Sequence, residues 1–396
     1  MSGGRFEFLA RKMESLRQAD SLRTLAVRAH EGTTLVDADG TRLINFGAND
    51  YLGLAQEVSG TFSTVAEKVP DTFSGAGASP LVSGFTPVHA QLCRALAAWE
   101  QTEAAVLFPS GYAACSGAVA TLPEEGDLLL SDQLNHASLI DGCRLSAATR
   151  VVYPHRDVDS VRRTLLAERH RFARVWIVTD GVFGMDGDVA PLKSLCDVAD
   201  QFDAHLIVDE AHATGVLGVD GSGTCAELHM KSRVAIRIGT LSKAIGSHGG
   251  FVVGPQVVID YLVNRCRPLI YSTAGSPLTI SAALRGIQAI RSEPQRRDRV
   301  RALAERFRDQ MRGRWLDQDS PADVKGIPIV PVVLGSNELV LRIAARLRDA
   351  GFFVPAIRPP TVPPGMARLR VSLSAMHREE DVDRLARALL AVAVER

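Results

Sequence analysis

The chain has 396 residues, of which 46% are hydrophobic, and its 45 lysines and arginines balance its 45 aspartates and glutamates. This balance does not favour a nucleic acid, a membrane surface or an acidic polymer as the partner. Because the sequence has no apolar run of the roughly 20 residues that a membrane span needs and no signal-peptide core, we expect a soluble cytoplasmic protein.

The cysteines give no sign of a metal centre or a disulfide framework. Closely spaced pairs are the usual signature of both, and none occurs here. Scattered thiols of this kind are typical of a reduced cytosolic protein, so no metal site is expected. The six cysteines are Cys93, Cys115, Cys143, Cys196, Cys225 and Cys266.

The N-terminal part predicts a helix followed by a hairpin. An apolar stripe at helical spacing indicates an amphipathic helix near residues 6–30, and its members are Phe6, Leu9, Met13 and Leu16. Residues 33–46 then show short apolar alternations around Asp39-Gly40, which predicts a β-hairpin.

From about residue 55 to residue 290, strand-like runs alternate with helical patterns. This alternation predicts βαβ units and a mostly parallel sheet covered on both faces, which is an α/β fold. The predicted strands are 104–108, 128–130, 175–179, 205–208, 235–238 and 251–253.

Beyond residue 290 the pattern predicts a smaller C-terminal α/β domain with an antiparallel sheet. A helix over 277–292 connects to it, and Pro294 restarts the helical pattern. The sequence thus predicts three parts, namely 1–54, 55–290 and 291–396. The elements predicted after Pro294 are helix 295–313, strand 329–334, helix 337–350, strands 352–357 and 368–374, and helix 378–394.

Lys243 and Asp209 are the strongest chemical signals in the chain. The apolar neighbours of Lys243 indicate partly buried surroundings, and desolvation makes a free amine available to form an imine. Asp209 ends the apolar strand 205–208, where a buried carboxylate needs a positive partner such as a pyridinium. A surface lysine and a helix cap are the alternatives when each is taken alone. Together they are typical of a pyridoxal 5′-phosphate enzyme.

Further residues extend this predicted cofactor site. His212, three residues after Asp209, can donate to the cofactor's phenolic oxygen, and Thr240 offers its phosphate a hydroxyl. Gly111 and Tyr112 open a helix whose N-terminus can bind phosphate, although an ordinary strand-to-helix turn would look the same. His136 is either an aromatic ring placed over the cofactor or a residue of a helix cap, and spacing alone does not decide between them.

The chain resembles the α-oxoamine synthases, which are fold-type I pyridoxal phosphate enzymes that condense an amino acid with an acyl thioester. The resemblance covers nearly the whole chain and implies a mostly parallel seven-stranded sheet in a large domain, a smaller C-terminal α/β domain, and a homodimer with shared active sites. The motifs that carry it are Asn49-Asp50-Tyr51-Leu52-Gly53, Leu81-Val82-Ser83-Gly84, the segment from Gly181 to Asp188, Asp209-Glu210-Ala211-His212 and the segment around Lys243.

The resemblance also implies a role for each site residue. Lys243 would be the Schiff-base lysine and the base that takes the amino acid's α-proton. Asp209 would pair with the pyridine nitrogen, His136 would stack on the ring, and Arg370 would bind the amino-acid carboxylate. The cofactor site would also include Gly111, Tyr112, His212, Thr240 and, from the partner subunit, Thr273. The substrate-side positions would be Arg23, Asn49 and Thr361.

Residues 356–363 and 367–370 resemble the branch of the family that uses L-alanine, with an acyl thioester carried by CoA or by an acyl carrier protein. A glycine-dependent relative, an aminotransferase and a catalytically silent partner subunit remain as alternatives.

Two positions depart from the family. Gly184 stands where relatives can carry a serine near the cofactor, and Pro80 stands where a basic or polar residue is common.

Overall fold

The structure is a computed structural model that describes residues 5–59, 74–316 and 324–393. Its strands are β1 (Arg28–Glu31), β2 (Thr34–Asp37), β3 (Arg42–Asn45), β4 (Ala104–Phe108), β5 (Leu128–Asp132), β6 (Thr149–Tyr153), β7 (Val175–Asp180), β8 (Ala204–Asp209), β9 (Ile236–Thr240), β10 (Gly250–Gly254), β11 (Ile329–Gly335), β12 (Phe352–Phe353), β13 (Ala356–Ile357) and β14 (Ala367–Ser372).

The helices alternate with these strands through the middle of the chain. They are α1 (Glu7–Gln18), α2 (Leu54–Ser59), α3 (Pro87–Glu100), α4 (Gly111–Thr121), α5 (Ala137–Leu145), α6 (Val158–Glu168), α7 (Leu192–Phe202), α8 (Thr224–Glu227), α9 (Gln256–Arg265), α10 (Arg267–Ile270), α11 (Pro277–Ser292), α12 (Gln295–Met311), α13 (Asn337–Asp349) and α14 (Glu379–Ala393), with a π-helical turn at Pro80–Gly84 and a 3-10 turn at Arg169–Arg171.

The central feature is a seven-stranded sheet in the order β4-β10-β9-β8-β7-β5-β6. Strand β10 runs antiparallel to both of its neighbours, and the other strands run in one direction. The predicted fold class and all six predicted strands are confirmed. Strand β6 was missed because it lies at the edge of the sheet, where only Tyr153 is buried and no continuous apolar run is needed.

Both faces of this sheet are packed, as the parallel arrangement requires. Val178 belongs to an apolar cluster with residues of α4, whereas the adjacent Ile177 belongs to a second cluster with residues of α7. Successive strand residues therefore point to opposite helical layers. Among the described residues, no helix has the length and apolar character needed to cross a membrane, and all six cysteines are free.

The predicted N-terminal helix is shorter than expected. It ends at Gln18 rather than near residue 30 because Asp20 adopts a left-handed conformation (φ 51°) and the amide of Ser21 donates back to Leu16 O at 2.8 Å. The hairpin prediction is confirmed by the antiparallel pair β2 and β3.

The C-terminal elements form an antiparallel sheet in the order β11-β14-β13, which packs against α13, and α12 also contacts β11. The single strand predicted over 352–357 is wrong. Pro355, which has no N–H for a ladder, separates β12, which pairs in parallel with β3, from β13, which pairs with β14. The division of the chain at residues 54 and 290 stays a prediction.

This topology brings the carboxyl ends of β7, β8 and β9 to one edge of the large sheet, which is where open α/β sheets bind their ligands. Asp180 and Asp209 end adjacent strands and stand opposite each other in register. Thr240 ends β9, and Lys243 follows it by three residues.

Candidate active site

The amine of Lys243 lies at hydrogen-bonding distance from His212, with 2.8 Å between Nζ and Nε2. Burial lowers the pKa of Lys243 to about 8, although the negative charge of nearby Asp209 opposes this shift and the positive charge of Arg370 adds to it. About a tenth of the amine is therefore unprotonated at pH 7, far more than for an ordinary lysine, and this is the form that attacks a carbonyl.

His212 is buried and held from both ends of its ring. Its Nδ1 lies 2.8 Å from the hydroxyl of Tyr51, and that hydroxyl is fully buried. Burial, together with the positive charges of Lys243 and Arg370, lowers the pKa of His212 well below its usual value. The ring is therefore neutral, with one nitrogen that donates and one that accepts.

Arg370 is the centre of a buried hydrogen-bond network on the other side of Tyr51. Its guanidinium donates to Asn49 Oδ1 at 3.1 Å, to Ser372 Oγ at 2.8 Å, to Tyr51 Oη at 3.3 Å and to the carbonyl of Gly184. These acceptors fix the guanidinium of a side chain that is only 4% exposed. The predicted substrate residues Asn49 and Arg370 are thus brought together beside the Lys243 amine.

Asp209 is 3% exposed and accepts from the amide of Ala211 at 2.8 Å and from the thiol of Cys115 at 3.1 Å. Within the described ranges it forms no ion pair. A second buried carboxyl, Asp180, stands beside it, and burial together with the negative charge of Asp209 raises the pKa of Asp180 well above its usual value. Asp180 therefore favours its neutral form, and Asp209 lies where a cationic ring nitrogen could pair with it.

His136 caps the N-terminus of α5. Its backbone amide donates to Asp180 Oδ2 at 2.6 Å, and its Nδ1 lies 2.7 Å from Ser138 Oγ. Burial lowers the pKa of His136, against the opposing charge of Asp209. His136 can therefore both cap the helix and place its ring over a cofactor, because the ring of this capping residue lies near the cluster. The ring of Tyr112 meets it edge-on at 6.5 Å between centroids.

The predicted phosphate-binding residues also lie together. Helix α4 begins at Gly111 and is capped by Ser110, whose Oγ accepts from the amide of Ala113 at 3.1 Å. A Cβ added to Gly111 would lie 3.0 Å from Thr240 Oγ1, so the glycine lets the start of the helix approach the end of β9. The helix N-terminus and the Thr240 hydroxyl therefore face one region, which fits a phosphate group.

The remaining predicted residues are not joined to this cluster by any contact within the described ranges. Arg23 donates to Thr361 Oγ1 at 3.2 Å, so these two substrate-side residues meet each other. Thr273 lines a cavity with His89, Phe108 and Pro80, and Gly249, whose carbonyl accepts from Thr240, also borders this cavity. That location leaves the proposed contact of Thr273 with a partner subunit as a prediction.

A charged bridge fixes the loop between residues 181 and 188 next to the site. His155 Nδ1 lies 2.9 Å from Asp132 Oδ1 and its Nε2 lies 2.8 Å from Asp188 Oδ2. Burial opposes a charge on this ring, but the hydrogen bonds to Asp132 and Asp188 outweigh it and raise the pKa of His155 to about 9. The ring also packs edge-on against Phe183, with 4.4 Å between centroids.

Three residues of the site, Tyr51, Asp180 and Cys115, are not predicted from the sequence. Tyr51 lies in a motif that was recognised, but its contact with His212 joins positions 161 residues apart, which no local pattern reports. Asp180 could have been found, because it follows the predicted strand 175–179 as Asp209 follows 205–208. Cys115 lies one turn inside a helix and carries no signal of its own.

Comparisons with known proteins identify the family of this chain. The family model described as aminotransferase class I and II matches residues 41–389. The 8-amino-7-oxononanoate synthase of Acidithiobacillus ferrooxidans is 44% identical over 90% of both chains. That of Anaeromyxobacter dehalogenans is 42% identical over 99% of this chain and 97% of the relative.

Two solved structures extend the likeness. The serine palmitoyltransferase of S. paucimobilis, solved with a pyridoxal phosphate and myriocin adduct, covers all of both chains at 27% identity with a TM-score of 0.86. The 8-amino-7-oxononanoate synthase of Francisella tularensis covers 89% of this chain and 97% of that one, at 26% identity with a TM-score of 0.72. The chain belongs to the aminotransferase class I and II family and, within it, to the 8-amino-7-oxononanoate synthases, so the predicted family is confirmed.

The bridge at His155 predicts a pH-dependent stability. Because its folded-state pKa of about 9 lies above the ordinary value of 6.5, the stabilisation is complete below pH 6.5 and is lost as the pH rises through 9. His155→Gln should therefore lower the free energy of unfolding by about 2 kcal/mol at pH 6 and by much less at pH 10, as measured by urea unfolding. The exposed His170→Gln is the control. A loss at His155 that is equal at both pH values would contradict the bridge.

The two buried carboxyls should respond differently to neutral replacement. Asp209→Asn should weaken pyridoxal phosphate binding by about tenfold or more, because a hydrogen bond to a charged group contributes about 1.5–3 kcal/mol. Asp180→Asn should change binding by less than about threefold, because burial and the neighbouring Asp209 already favour the neutral form of this carboxyl, which an amide resembles. Spectroscopic titration of the cofactor-free proteins measures both. Equal losses would show that the proton is not held by Asp180.

Proposed function

We propose that the chain, as a member of this family, joins L-alanine to a pimeloyl thioester and yields 8-amino-7-oxononanoate, carbon dioxide and free thiol, a step of biotin synthesis. The observation that carries this proposal is the buried cluster of Lys243, His212 and Asp209 at the carboxyl edge of the sheet. When bound there, pyridoxal 5′-phosphate supplies an electron sink for the pair left on the amino acid's α-carbon.

Each residue of the cluster supports one part of this reaction. Lys243 has a pKa of about 8, so it can attach the cofactor as an amine and later accept the α-proton of alanine. Asp209 would keep the ring nitrogen protonated. His212 would donate from Nε2 to the phenolic oxygen, since Tyr51 bonds its other nitrogen.

Arg370 would bind the carboxylate of alanine with its planar guanidinium. Its position is supported by the network with Asn49, Ser372 and Tyr51, and its charge lies close enough to lower the pKa of Lys243. Holding the carboxylate beside the amine orients the α-C–H bond for proton removal. The Arg23 and Thr361 pair would lie on the side of the acyl substrate.

The assembly is part of the proposal. A homodimer with shared active sites would bring Thr273 to the partner's phosphate. The acyl group would arrive on CoA or on an acyl carrier protein. Six unpaired cysteines support a cytoplasmic location.

A second α-oxoamine synthase activity has one observation in its favour. The backbone is more similar to that of a serine palmitoyltransferase, with a TM-score of 0.86, than to that of the Francisella synthase, with a TM-score of 0.72. Sequence favours the alanine reaction, since the identity is 44% to an 8-amino-7-oxononanoate synthase and 27% to the palmitoyltransferase. Glycine with a short acyl-CoA, as in a glycine C-acetyltransferase, is the related alternative.

A matrix of donors and acyl groups tests the proposal. Purified protein is supplied with alanine, glycine or serine and with acetyl, pimeloyl or palmitoyl thioesters, and released thiol is measured. We expect alanine with the pimeloyl thioester to exceed every other combination by at least about tenfold, the factor that 1.4 kcal/mol of discrimination gives. Highest turnover with glycine or serine would refute the assignment, and transamination without thiol release would indicate an aminotransferase.

The same assay tests the role of Lys243. Lys243→Ala should abolish thiol release, because the amine that attaches the cofactor and accepts the proton is gone. The exposed Lys193→Ala is the matched control and should keep full activity. Turnover by Lys243→Ala comparable to that of the control would exclude Lys243 as the catalytic amine.

A further inference from the structure

The backbone conformation of Gly184 does not require a glycine. Its φ lies outside the left-handed region, so any residue could adopt its conformation. A Cβ added there would lie 2.3 Å from His212 Nε2, 2.8 Å from Cδ2 and 2.9 Å from Cε1, and these three ring atoms are its nearest neighbours. Such distances are far below van der Waals contact, so the His212 ring occupies the space of the missing side chain.

His212 has little freedom to yield to such a group. Tyr51, itself fully buried, bonds Nδ1 at 2.8 Å, and the hydroxyl of Tyr51 is in turn bonded by Arg370 at 3.3 Å. On the opposite edge, Nε2 lies 2.8 Å from Lys243 Nζ. Moving the ring away from position 184 therefore disturbs both the contact with Tyr51 and the contact with the amine.

The loop that carries Gly184 is equally constrained. Its carbonyl accepts from Arg370 Nε, and the next carbonyl, that of Met185, accepts from Arg368 at 3.2 Å. Gly187 bonds back to Phe183 O at 2.8 Å, and a Cβ at Gly187 would lie 2.3 Å from the carbonyl of Ile329. The loop thus packs against the small sheet and cannot retreat from His212.

We propose that Gly184 is a positioning residue, whose lack of a side chain lets the Nε2 edge of His212 reach the Lys243 amine and the phenolic oxygen of a cofactor bound to it. The part that concerns the cofactor rests on the proposed function. The steric part concerns this chain alone. A serine at this position, which relatives can carry, is incompatible with the place that His212 takes here.

The steric part is tested without cofactor by a double-mutant cycle. Gly184→Ala should lower the melting temperature of the cofactor-free protein, because overpacking a fixed site is destabilising. In a His212→Ala background the same substitution should cause no loss, since the ring that it meets is absent. Gly75→Ala is the control, because a Cβ at Gly75 meets nothing within 4 Å and the φ of Gly75 lies outside the left-handed region. Equal losses in both backgrounds would overturn the proposal.

The positioning part is tested on the cofactor-loaded protein. Gly184→Ala should weaken pyridoxal phosphate binding by about tenfold, the loss expected for about 1.4 kcal/mol of disturbed contact. It should also raise the midpoint of the pH titration of the bound cofactor's absorbance, because a donor to the phenolic oxygen is lost. Neither change should appear in the His212→Ala background.

The outcomes separate the two claims. If the wild-type protein binds no pyridoxal phosphate, the proposed function fails while the melting-temperature cycle still decides the steric claim. If the cofactor binds and the midpoint of Gly184→Ala equals that of the wild type, Gly184 has no positioning role. A midpoint that shifts by the same amount in both backgrounds would show that the effect does not pass through His212.

Discussion

Asp209 ends the buried strand β8, and the charge of a buried carboxylate costs several kcal/mol unless a cation meets it. Among the described residues its hydrogen-bond donors are the backbone amide of Ala211 and the thiol of Cys115, and neither donor is a cation. Burial and the neighbouring Asp209 raise the pKa of Asp180, which favours the neutral form of Asp180. The site is therefore suited to bind a cationic ring, and the sheet places Asp209 close to the Lys243 amine.

The small antiparallel sheet completes the site by fixing the loop over residues 181–188. Strand β14 supplies Arg370, which bonds Gly184, and Arg368, which bonds Met185 and pairs with Asp186. On its other side the loop is held by His155 through Asp188. The position of Arg370, which would bind the carboxylate, and the position of His212 thus both depend on the loop over residues 181–188. A change in the packing of β14 would therefore alter the positions of both side chains.

Much of this architecture follows from local sequence. The central strands are continuous apolar runs, and their buried ends carry Asp209 and Thr240, so the sheet and the cofactor residues could be predicted. Features that depend on partners remote in sequence could not. Strand β6 lies at an exposed edge of the sheet, and helix α1 ends just before Asp20, which has a left-handed backbone conformation. Strands β12 and β13, on either side of Pro355, belong to different sheets. Tyr51 and the fit of Gly184 against His212 exist only in the folded chain.

The most direct measurement is to reduce the cofactor-loaded protein with borohydride, digest it, and map the pyridoxyl label by mass spectrometry. The account predicts one label per chain, on the peptide that contains Lys243, because burial leaves its amine available there at neutral pH. A label on another lysine, or no label on a protein that carries the cofactor, would contradict it.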